Sequence, residues 1–245
     1  AELDRAFDIH AACGTRLESF VADYGTAPAA RLLGVAGTAK NPRLYGGARR
    51  LFCPVCLEPE RTRFLLHRLG TDEVLAADAP RQRILVCSGG PALLHRLAAQ
   101  DVVSANLRPT LFADTACDLR AAPFPDASLD LVLCSYVLDE IDDEAAALSE
   151  LRRILRPDGL AWIIVPIDLS QATTQEGRGE PDEVRAEKFG SAVHQRLYGL
   201  DAGRHFAAAG FDVIETIARD AMLPRAIAAQ GIQPEERLFR LQPAR

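Results

Sequence analysis

The chain has 245 residues, of which 48% are hydrophobic and 25% charged, and its net charge is -6 at neutral pH. A chain of this size can bury a full core and hold one domain plus an appendage. The acidic balance argues against a nucleic-acid-binding protein. No apolar run approaches the roughly 18 residues that span a bilayer, and the N-terminus lacks the basic-then-apolar pattern of an export signal. We therefore expect a cytoplasmic protein that contacts neither nucleic acid nor membrane.

Residues 1–80 contain repeated Gly and Pro breaks, with helical patterns over residues 3–20 and 62–69. This composition predicts a small helical cap that holds a loop. Six cysteines at irregular spacing, without an export signal, indicate reduced thiols or metal ligands rather than a disulfide framework.

The CPVC sequence in this segment is a candidate zinc knuckle. Cys53 and Cys56 are separated by two residues, so that their thiolates can chelate one tetrahedral ion. His10 and Cys13 lie one turn apart on a predicted helix and can complete a site of three cysteines and one histidine, with His67 as a spare candidate. A purely structural turn is the alternative.

From residue 83 onward the pattern changes to alternating strands and helices. Apolar runs predict strands over residues 84–87 and 102–105, and residues 110–113 are a candidate short third strand. A helix is predicted between the first two strands, over residues 91–100, because Pro91 suits the first turn of a helix.

Residues 123–166 have the pattern of a strand, a helix, a turn and a second strand. Residues 129–133 are almost wholly apolar, as expected for a strand buried on both faces. Asp142 and Asp143 offer an N-cap, and apolar residues then recur at helical spacing. A turn over residues 157–159 leads into a strand over residues 160–165. This unit is a right-handed crossover of an α/β domain.

The chain is polar and irregular from residue 168 to residue 200, which is longer than an ordinary connection, so this stretch is a candidate lid-like or disordered insert. A helix over residues 201–209 and strands over 211–217 and 237–241 follow. The predicted organisation is a cap over residues 1–80 and an α/β domain over residues 81–245.

The segments PFPDASLDLVLCSYVLDEI and LRRILRPDGL resemble those of class I S-adenosylmethionine-dependent methyltransferases. More narrowly, CPVCLEPERTR resembles the N-terminal segment of a bacterial group within that superfamily. The resemblance covers roughly residues 53–217. It implies a Rossmann-like, mostly parallel sheet with an antiparallel last strand, and S-adenosylmethionine as cofactor.

The resemblance also implies the cofactor contacts. The turn after the first strand would face the methionine part, the end of the second strand the ribose, the following loop the adenine, and the end of the fourth strand the sulfonium. Asn106 stands where the family has an acidic residue, and the glycine run is reduced to SGG. The implied contacts are Ser88, Gly89, Gly90, Asn106, Asp118, Leu119, Ser135 and Tyr136.

No catalytic residue is assigned, because methyl transfer depends mainly on alignment of the acceptor with an already electrophilic methyl group. Tyr136, Asp139 and Glu140 follow the fourth strand and are candidates for reaching that group. Their acidic members are alternatively helix-start charges.

Two further groups are candidates for substrate contact. His194, Arg196 and Tyr198 alternate, which places them on one face of an extended segment, either as a substrate clamp or as a solvated edge strand. Arg61 and Arg63 match arginines of the narrower group and are candidates for binding a carboxylate or phosphate. The alternative is that they are solvated.

The sequence therefore predicts an S-adenosylmethionine-dependent methyltransferase that acts on a small molecule. A catalytically degenerate binding or regulatory module and a reaction of the same cofactor other than methylation are the alternatives. A nicotinamide enzyme is disfavoured, because no GxGxxG follows the first strand. The sequence does not indicate an oligomeric state.

Overall fold

The computed structural model describes residues 58–72, 80–107 and 113–244. The chain divides into two compact units. The smaller unit comprises Ala1–Pro80 and Thr216–Arg237, and the larger comprises Arg81–Glu215 and Leu238–Arg245. The boundaries expected for the cap and for the lid-like insert stay predictions.

The elements of the described residues follow one another along the chain as helices and strands. The helices are α1 (Glu60–Thr71), α2 (Pro91–Arg96), α3 (Glu144–Ile154), α4 (Asp182–Phe189), α5 (Ala202–Ala208), α6 (Ala218–Ala221) and α7 (Pro224–Gln230). The strands are β1 (Arg83–Cys87), β2 (Asp101–Asn106), β3 (Thr115–Ala116), β4 (Leu129–Ser135), β5 (Leu155–Ile164), β6 (Gln175–Glu176), β7 (Arg196–Leu197), β8 (Phe211–Ile217) and β9 (Arg237–Pro243).

A seven-stranded sheet in the order β3-β2-β1-β4-β5-β9-β8 forms the framework. Strand β1 pairs in parallel with β2 and β4, β2 with β3, and β4 with β5, whereas β9 runs antiparallel to β5. The prediction of a mostly parallel sheet with an antiparallel last strand is confirmed.

Strand β4 and helix α3 form where the local pattern predicts them. Strand β4 is buried along almost its whole length between β1 and β5. The Asp143 carboxylate accepts a hydrogen bond from the Ala146 N–H at 3.0 Å and so caps α3, satisfying one of the free donors of the first turn. The apolar face of α3 is buried through Leu148, Leu151 and Ile154.

The turn predicted over residues 157–159 differs from the structure. Strand β5 begins directly after α3, and its pairing with β4 shifts register, so that Leu129 pairs with Leu155 but Leu131 pairs with Leu160. The predicted turn is therefore an irregularity within β5. Gly159 permits it, because a Cβ there would lie 2.9 Å from the Leu129 carbonyl oxygen.

Two other predictions differ in extent. Helix α2 ends at Arg96, earlier than expected, and is followed by turns to residue 100. The third strand is Thr115–Ala116, whereas most of the predicted segment at 110–113 lies outside the described residues.

The segment that we predicted as irregular, residues 168–200, contains secondary structure. Strands β6 and β7 pair antiparallel, with Gln175 opposite Leu197 and Glu176 opposite Arg196, and helix α4 lies between them. Within the described part of the chain, no helix is both long enough and apolar enough to cross a membrane.

Candidate functional site

A cavity of about 820 Å³ lies in the larger unit, at the carboxyl ends of β1, β2 and β4. Strand order reverses between β1 and β4, and in open α/β sheets ligands bind in the crevice at such a point. The volume falls in the upper part of the range of about 300–1,000 Å³ found for small-molecule sites. Its lining includes Cys87, Ser88, Ala105, Asn106, Leu107, Cys117, Asp118, Leu119, Arg120, Tyr136, Val137, Glu140, Ile141, Asp142, Arg178, Gly179, Asp182, Arg185, Ala192, Val193 and Gln195.

Two lining residues, Ser88 and Tyr136, have a left-handed backbone. Their φ angles are 61° and 53°, which residues other than glycine rarely adopt. Backbone hydrogen bonds hold both: the Ser88 N–H donates to the Ala105 carbonyl at 3.1 Å, and the Tyr136 N–H donates to the Ile164 carbonyl at 2.8 Å. Backbone strain of this kind concentrates at functional sites.

The two glycines of the SGG turn have structural roles. A Cβ on Gly89 would lie 2.4 Å from Val86 Cγ1, so packing against β1 requires glycine there. Gly90 is the N-cap residue of α2. Of the three residues of the SGG turn, Ser88 belongs to the described cavity lining and the two glycines do not.

The predicted ribose and adenine contacts lie together in the cavity. Asn106 ends β2, and its carbonyl accepts a hydrogen bond from the Cys117 N–H at 2.9 Å, which brings the next loop alongside. Asp118 caps the short turn Leu119–Ala121 by accepting a hydrogen bond from the Arg120 N–H at 2.9 Å. Sequence spacing alone did not show that these residues meet.

The side chain of Arg120 joins two acidic residues of the cavity lining. It donates to Asp118 Oδ2 at 2.7 Å and to Asp142 Oδ1 at 2.5 Å. Hydrogen bonds from the Arg120 side chain and N–H lower the pKa of Asp118. Burial raises the pKa of Asp142, but hydrogen bonds from Arg120 and the Asp143 N–H, with the charges of Arg120 and Arg178, outweigh burial and lower it.

Both carboxylates are thus ionised at neutral pH, and the hydrogen bonds that the Arg120 side chain donates to the two acids raise the pKa of Arg120 further. The sequence analysis missed Arg120 and the role of Asp142. The only signal was the position of Arg120 two residues after Asp118, because Asp142 lies 22 residues further along the chain.

The residues after β4 divide between the cavity and the interior. Glu140 lines the cavity, whereas Asp139 is fully buried. The Nε2 atom of His194 lies 3.4 Å from Asp139 Oδ2. Of the two predicted contacts at the end of β4, Tyr136 belongs to the described cavity lining, whereas Ser135 is buried and does not.

Arg196 and Tyr198 bind neighbouring backbone and side chains. Arg196 is 1% exposed and Tyr198 is fully buried. The Tyr198 hydroxyl donates to Glu144 Oε1, and burial together with the charge of Glu144 raises the pKa of Tyr198. The described cavity lining includes neither residue, nor His194, and a role in substrate contact stays a prediction.

The two arginines of the CPVCLEPERTR segment lie on α1 in the smaller unit. Arg63 is fully buried and donates to the carbonyls of Glu58 at 2.6 Å, Gln230 at 2.5 Å and Gly231 at 2.8 Å, which ties α1 to the end of α7. Arg61 is half-buried. Their binding of an anion stays a prediction.

The zinc prediction rests on Cys53, Cys56, His10 and Cys13, which lie outside the described residues. The spare candidate, His67, lies on α1, where burial lowers its pKa.

The three described cysteines are free and buried, as expected of small apolar side chains. Cys87 lies opposite Cys134 across β1 and β4, and a hydrogen bond with Cys134 together with burial raises the pKa of Cys87. Burial raises the pKa of Cys117 to about 12. Cys87 and Cys117 therefore give one side of the cavity an uncharged surface.

Known proteins resemble parts of this chain. Residues 83–163 match a family model described as a methyltransferase domain. The chain is 31% identical over 150 residues to a malonyl-[acyl-carrier protein] O-methyltransferase of Halorhodospira halophila, which covers 61% of this chain and 44% of that protein. It is 39% identical over 59 residues to the ubiquinone/menaquinone biosynthesis C-methyltransferase UbiE of Xanthomonas oryzae pv. oryzae, which covers 24% of this chain and 22% of that protein. The chain thus spans less than half the length of these curated relatives.

The fold has a counterpart in a solved structure, an S-adenosylmethionine dependent methyltransferase from Mesorhizobium loti. That structure is 14% identical, covers 73% of this chain and 97% of its own, and superposes with a TM-score of 0.52. Residues 83–163 are therefore similar to a methyltransferase domain, and the sheet that carries them has the Rossmann-like methyltransferase fold.

Proposed function

We propose that the protein is an S-adenosylmethionine-dependent methyltransferase that acts on a small molecule. The observation that carries this proposal is the position of the cavity at the carboxyl ends of β1, β2 and β4. Five of the side chains for which the resemblance implies cofactor contact line it, and all lie within the matched residues 83–163. They are Ser88, Asn106, Asp118, Leu119 and Tyr136.

The residues present fit the chemistry of this cofactor. The Asn106 amide both donates and accepts hydrogen bonds, as two ribose hydroxyls require. Leu119, Ile141 and Cys117 offer apolar surface for a flat ring. The described lining contains four acidic residues and three arginines, and this slight excess of negative charge suits a cationic sulfonium.

The volume of about 820 Å³, in the upper part of the range for small-molecule sites, leaves room for a small acceptor beside the cofactor. When bound, S-adenosylmethionine supplies a methyl group that is already electrophilic. The protein then has to orient the acceptor and exclude water, which contributes much of the acceleration in reactions of this kind. Val137, Ile141 and Val193 form apolar lining that serves both tasks, and the Glu140 carboxylate can accept a proton from an acceptor.

Asn106 favours a second candidate, a binding or regulatory module of the same fold. A carboxylate accepts two charge-assisted hydrogen bonds from ribose, whereas an amide oxygen accepts weaker ones. A cofactor held by weaker bonds would be aligned less well for transfer, which would leave a domain that binds the cofactor without turnover.

Calorimetric titration of the folded chain with S-adenosylmethionine and with S-adenosylhomocysteine tests the proposal. We expect equimolar binding of both, with micromolar dissociation constants. Absence of heat with both ligands would overturn the proposal. Binding of both, without formation of S-adenosylhomocysteine from any member of a panel of oxygen, nitrogen, carbon and sulfur acceptors, would favour the binding module.

A further inference from the structure

Arg196, on strand β7, is a buried cation that bonds to the loop following β4. Its Nη1 atom donates to the carbonyls of Leu138 at 2.5 Å and Ile141 at 2.7 Å, and its Nη2 atom donates to the carbonyl of Asp142 at 3.3 Å. One guanidinium therefore fixes three carbonyls within five residues. A planar group with several donors in a rigid fork is suited to this, and lysine is not.

The charge of Arg196 is balanced on its other side. Its Nε atom lies 3.1 Å from Glu176 Oε1 and 3.9 Å from Glu144 Oε2. Burial lowers the pKa of Arg196, but the neighbouring Tyr198 and the two acids outweigh burial and raise it. The cation thus stays charged although it is almost wholly buried, and its removal would take one hydrogen-bond donor from each of the three carbonyls and from the Glu176 carboxylate.

A second bond holds the same loop to the same segment. The Gln195 N–H donates to the Asp139 carbonyl at 2.7 Å, and Gln195 in turn accepts the Gly177 N–H at 2.7 Å. Strands β6 and β7 are paired at this point. The two-stranded sheet of β6 and β7 therefore binds the loop through two consecutive residues, Gln195 and Arg196.

The loop that these hydrogen bonds hold, residues 137–142, forms a wall of the cavity. Val137, Glu140, Ile141 and Asp142 all belong to it and all line the cavity, directly after the strained residue Tyr136. The internal hydrogen bonds of the loop are few and local: the Glu140 N–H donates to Val137 at 3.0 Å, and the Ile141 N–H donates to Leu138 at 3.3 Å. Such a single turn is weak by itself, so its shape depends on outside contacts.

We propose that Arg196 is a positioning residue, which fixes the loop from Val137 to Asp142 as a preformed wall of the cavity and thereby sets the affinity of the cofactor and acceptor site. Its effect on cofactor binding rests on the proposed function, but its effect on the loop does not. The wall is ready before ligand arrives, which lowers the entropic cost of binding.

Amide hydrogen exchange on the full chain without ligand tests the first part. In Arg196→Met, which keeps most of the side-chain volume, we expect the amides of Glu140, Ile141 and Gln195 to exchange at least about tenfold faster, since local opening sets their protection. The amides of β1 and β4 should keep their wild-type rates. Arg196→Lys should restore part of the protection, because it keeps the charge but not the fork.

Phe211→Leu is the control for a general loss of stability, because Phe211 is buried in β8, which β5 and β9 separate from β4 in the sheet. It should leave exchange at the three amides unchanged. Wild-type rates at those amides in Arg196→Met, or equal acceleration in Phe211→Leu, would overturn the proposal. If Arg196→Met does not fold, the same comparison is made with Arg196→Lys.

Titration with S-adenosylhomocysteine tests the second part. We expect a dissociation constant about tenfold weaker in Arg196→Met, an intermediate value in Arg196→Lys and a wild-type value in Phe211→Leu, a tenfold change being about 1.4 kcal/mol. Unchanged affinity in Arg196→Met with a loosened loop would refute the role in the site. Failure of the wild type to bind would instead refute the proposed function and leave the exchange result to decide the role of Arg196 in the loop.

Discussion

Ser88 and Tyr136 share a left-handed backbone at the carboxyl ends of two neighbouring parallel strands, with φ angles of 61° and 53°. Each donates its N–H to a carbonyl of a flanking strand, at 3.1 Å and 2.8 Å. The chain therefore turns sharply at the ends of both strands that flank the point where the strand order reverses, and the space between the two turns is part of the cavity. A conformation that costs roughly 1–3 kcal/mol per residue persists only where the surroundings enforce it.

Substitution at Ser88 tests this relationship. Ser88→Val places a β-branched side chain at a positive φ and should lower the free energy of unfolding by about 1–2 kcal/mol. Ser88→Gly should leave it unchanged or raise it slightly, because glycine adopts this conformation without steric cost. Urea unfolding measures both, and equal stability of the two variants would contradict the account.

Asn106 offers a gain-of-affinity test. Asn106→Asp should bind S-adenosylmethionine about three- to tenfold more tightly, because a carboxylate accepts stronger hydrogen bonds from ribose hydroxyls than an amide does. Asn106→Ala should bind more weakly than the wild type. Titration calorimetry measures all three proteins, and an unchanged affinity in both variants would show that this side chain does not face the ribose.

The pair Arg120 and Asp142 should act as one unit. Arg120→Gln and Asp142→Asn each break the 2.5 Å bond between two loops of the cavity, so each should weaken cofactor binding. The double variant should be little worse than either single one, because residues in one network are not additive. The dissociation constants of the four proteins form a double-mutant cycle, and strictly additive losses would show that the two residues act independently.

Glu236 gives the smaller unit a pH-dependent stability. Burial and the charge of Glu60 raise its pKa to about 8, against an ordinary value of 4.5, while Arg61 and Arg63 oppose this. The folded state holds the proton more tightly than the unfolded state. The free energy of unfolding should therefore be highest at low pH and fall as pH rises from 4.5 to about 8, by at most about 1.4 kcal/mol per pH unit.

Glu236→Gln removes this titration and should flatten the dependence, so that its advantage over the wild type grows between pH 6 and pH 8.5. Glu235→Gln is the matched control, because Glu235 is partly exposed and bonds to Arg219 on the surface. Urea unfolding curves of the three proteins at both pH values give the free energies of unfolding that this comparison needs. Parallel behaviour of wild type and Glu236→Gln would place the carboxyl in a solvated environment.

Local periodicity was sufficient to predict β4 and α3. Strand β4 is a short, almost wholly apolar run, and the apolar residues of α3 recur at helical spacing. Asp143 marks the start of the helix as its N-cap. The irregularity at the start of β5 could not be predicted in this way. It arises from pairing with Leu129 and Leu131 on another strand, which residues 155–160 do not reveal by themselves.

The sequence predicted only those residues of the candidate site that directly follow a strand. Ser88, Asn106 and Tyr136 follow strands that the sequence reveals, and they meet because parallel strands end at one edge of a sheet. Arg120 and Asp142 were missed because polar residues 22 apart carry no common pattern. The alternation of Arg196 and Tyr198 in the sequence indicated that the two side chains share a face, and in the structure both lie close to Glu144. The same alternation did not indicate that Arg196 is buried against a loop.

Amide hydrogen exchange of the wild-type chain, with and without saturating S-adenosylhomocysteine, tests most directly whether the cavity is the cofactor site. The account predicts slower exchange in the ligand-bound protein over the turn at Ser88, the end of β2 at Asn106, the turn after Asp118 and the loop after Tyr136. Protection confined to other segments, or no protection despite a ligand concentration far above the measured dissociation constant, would contradict it.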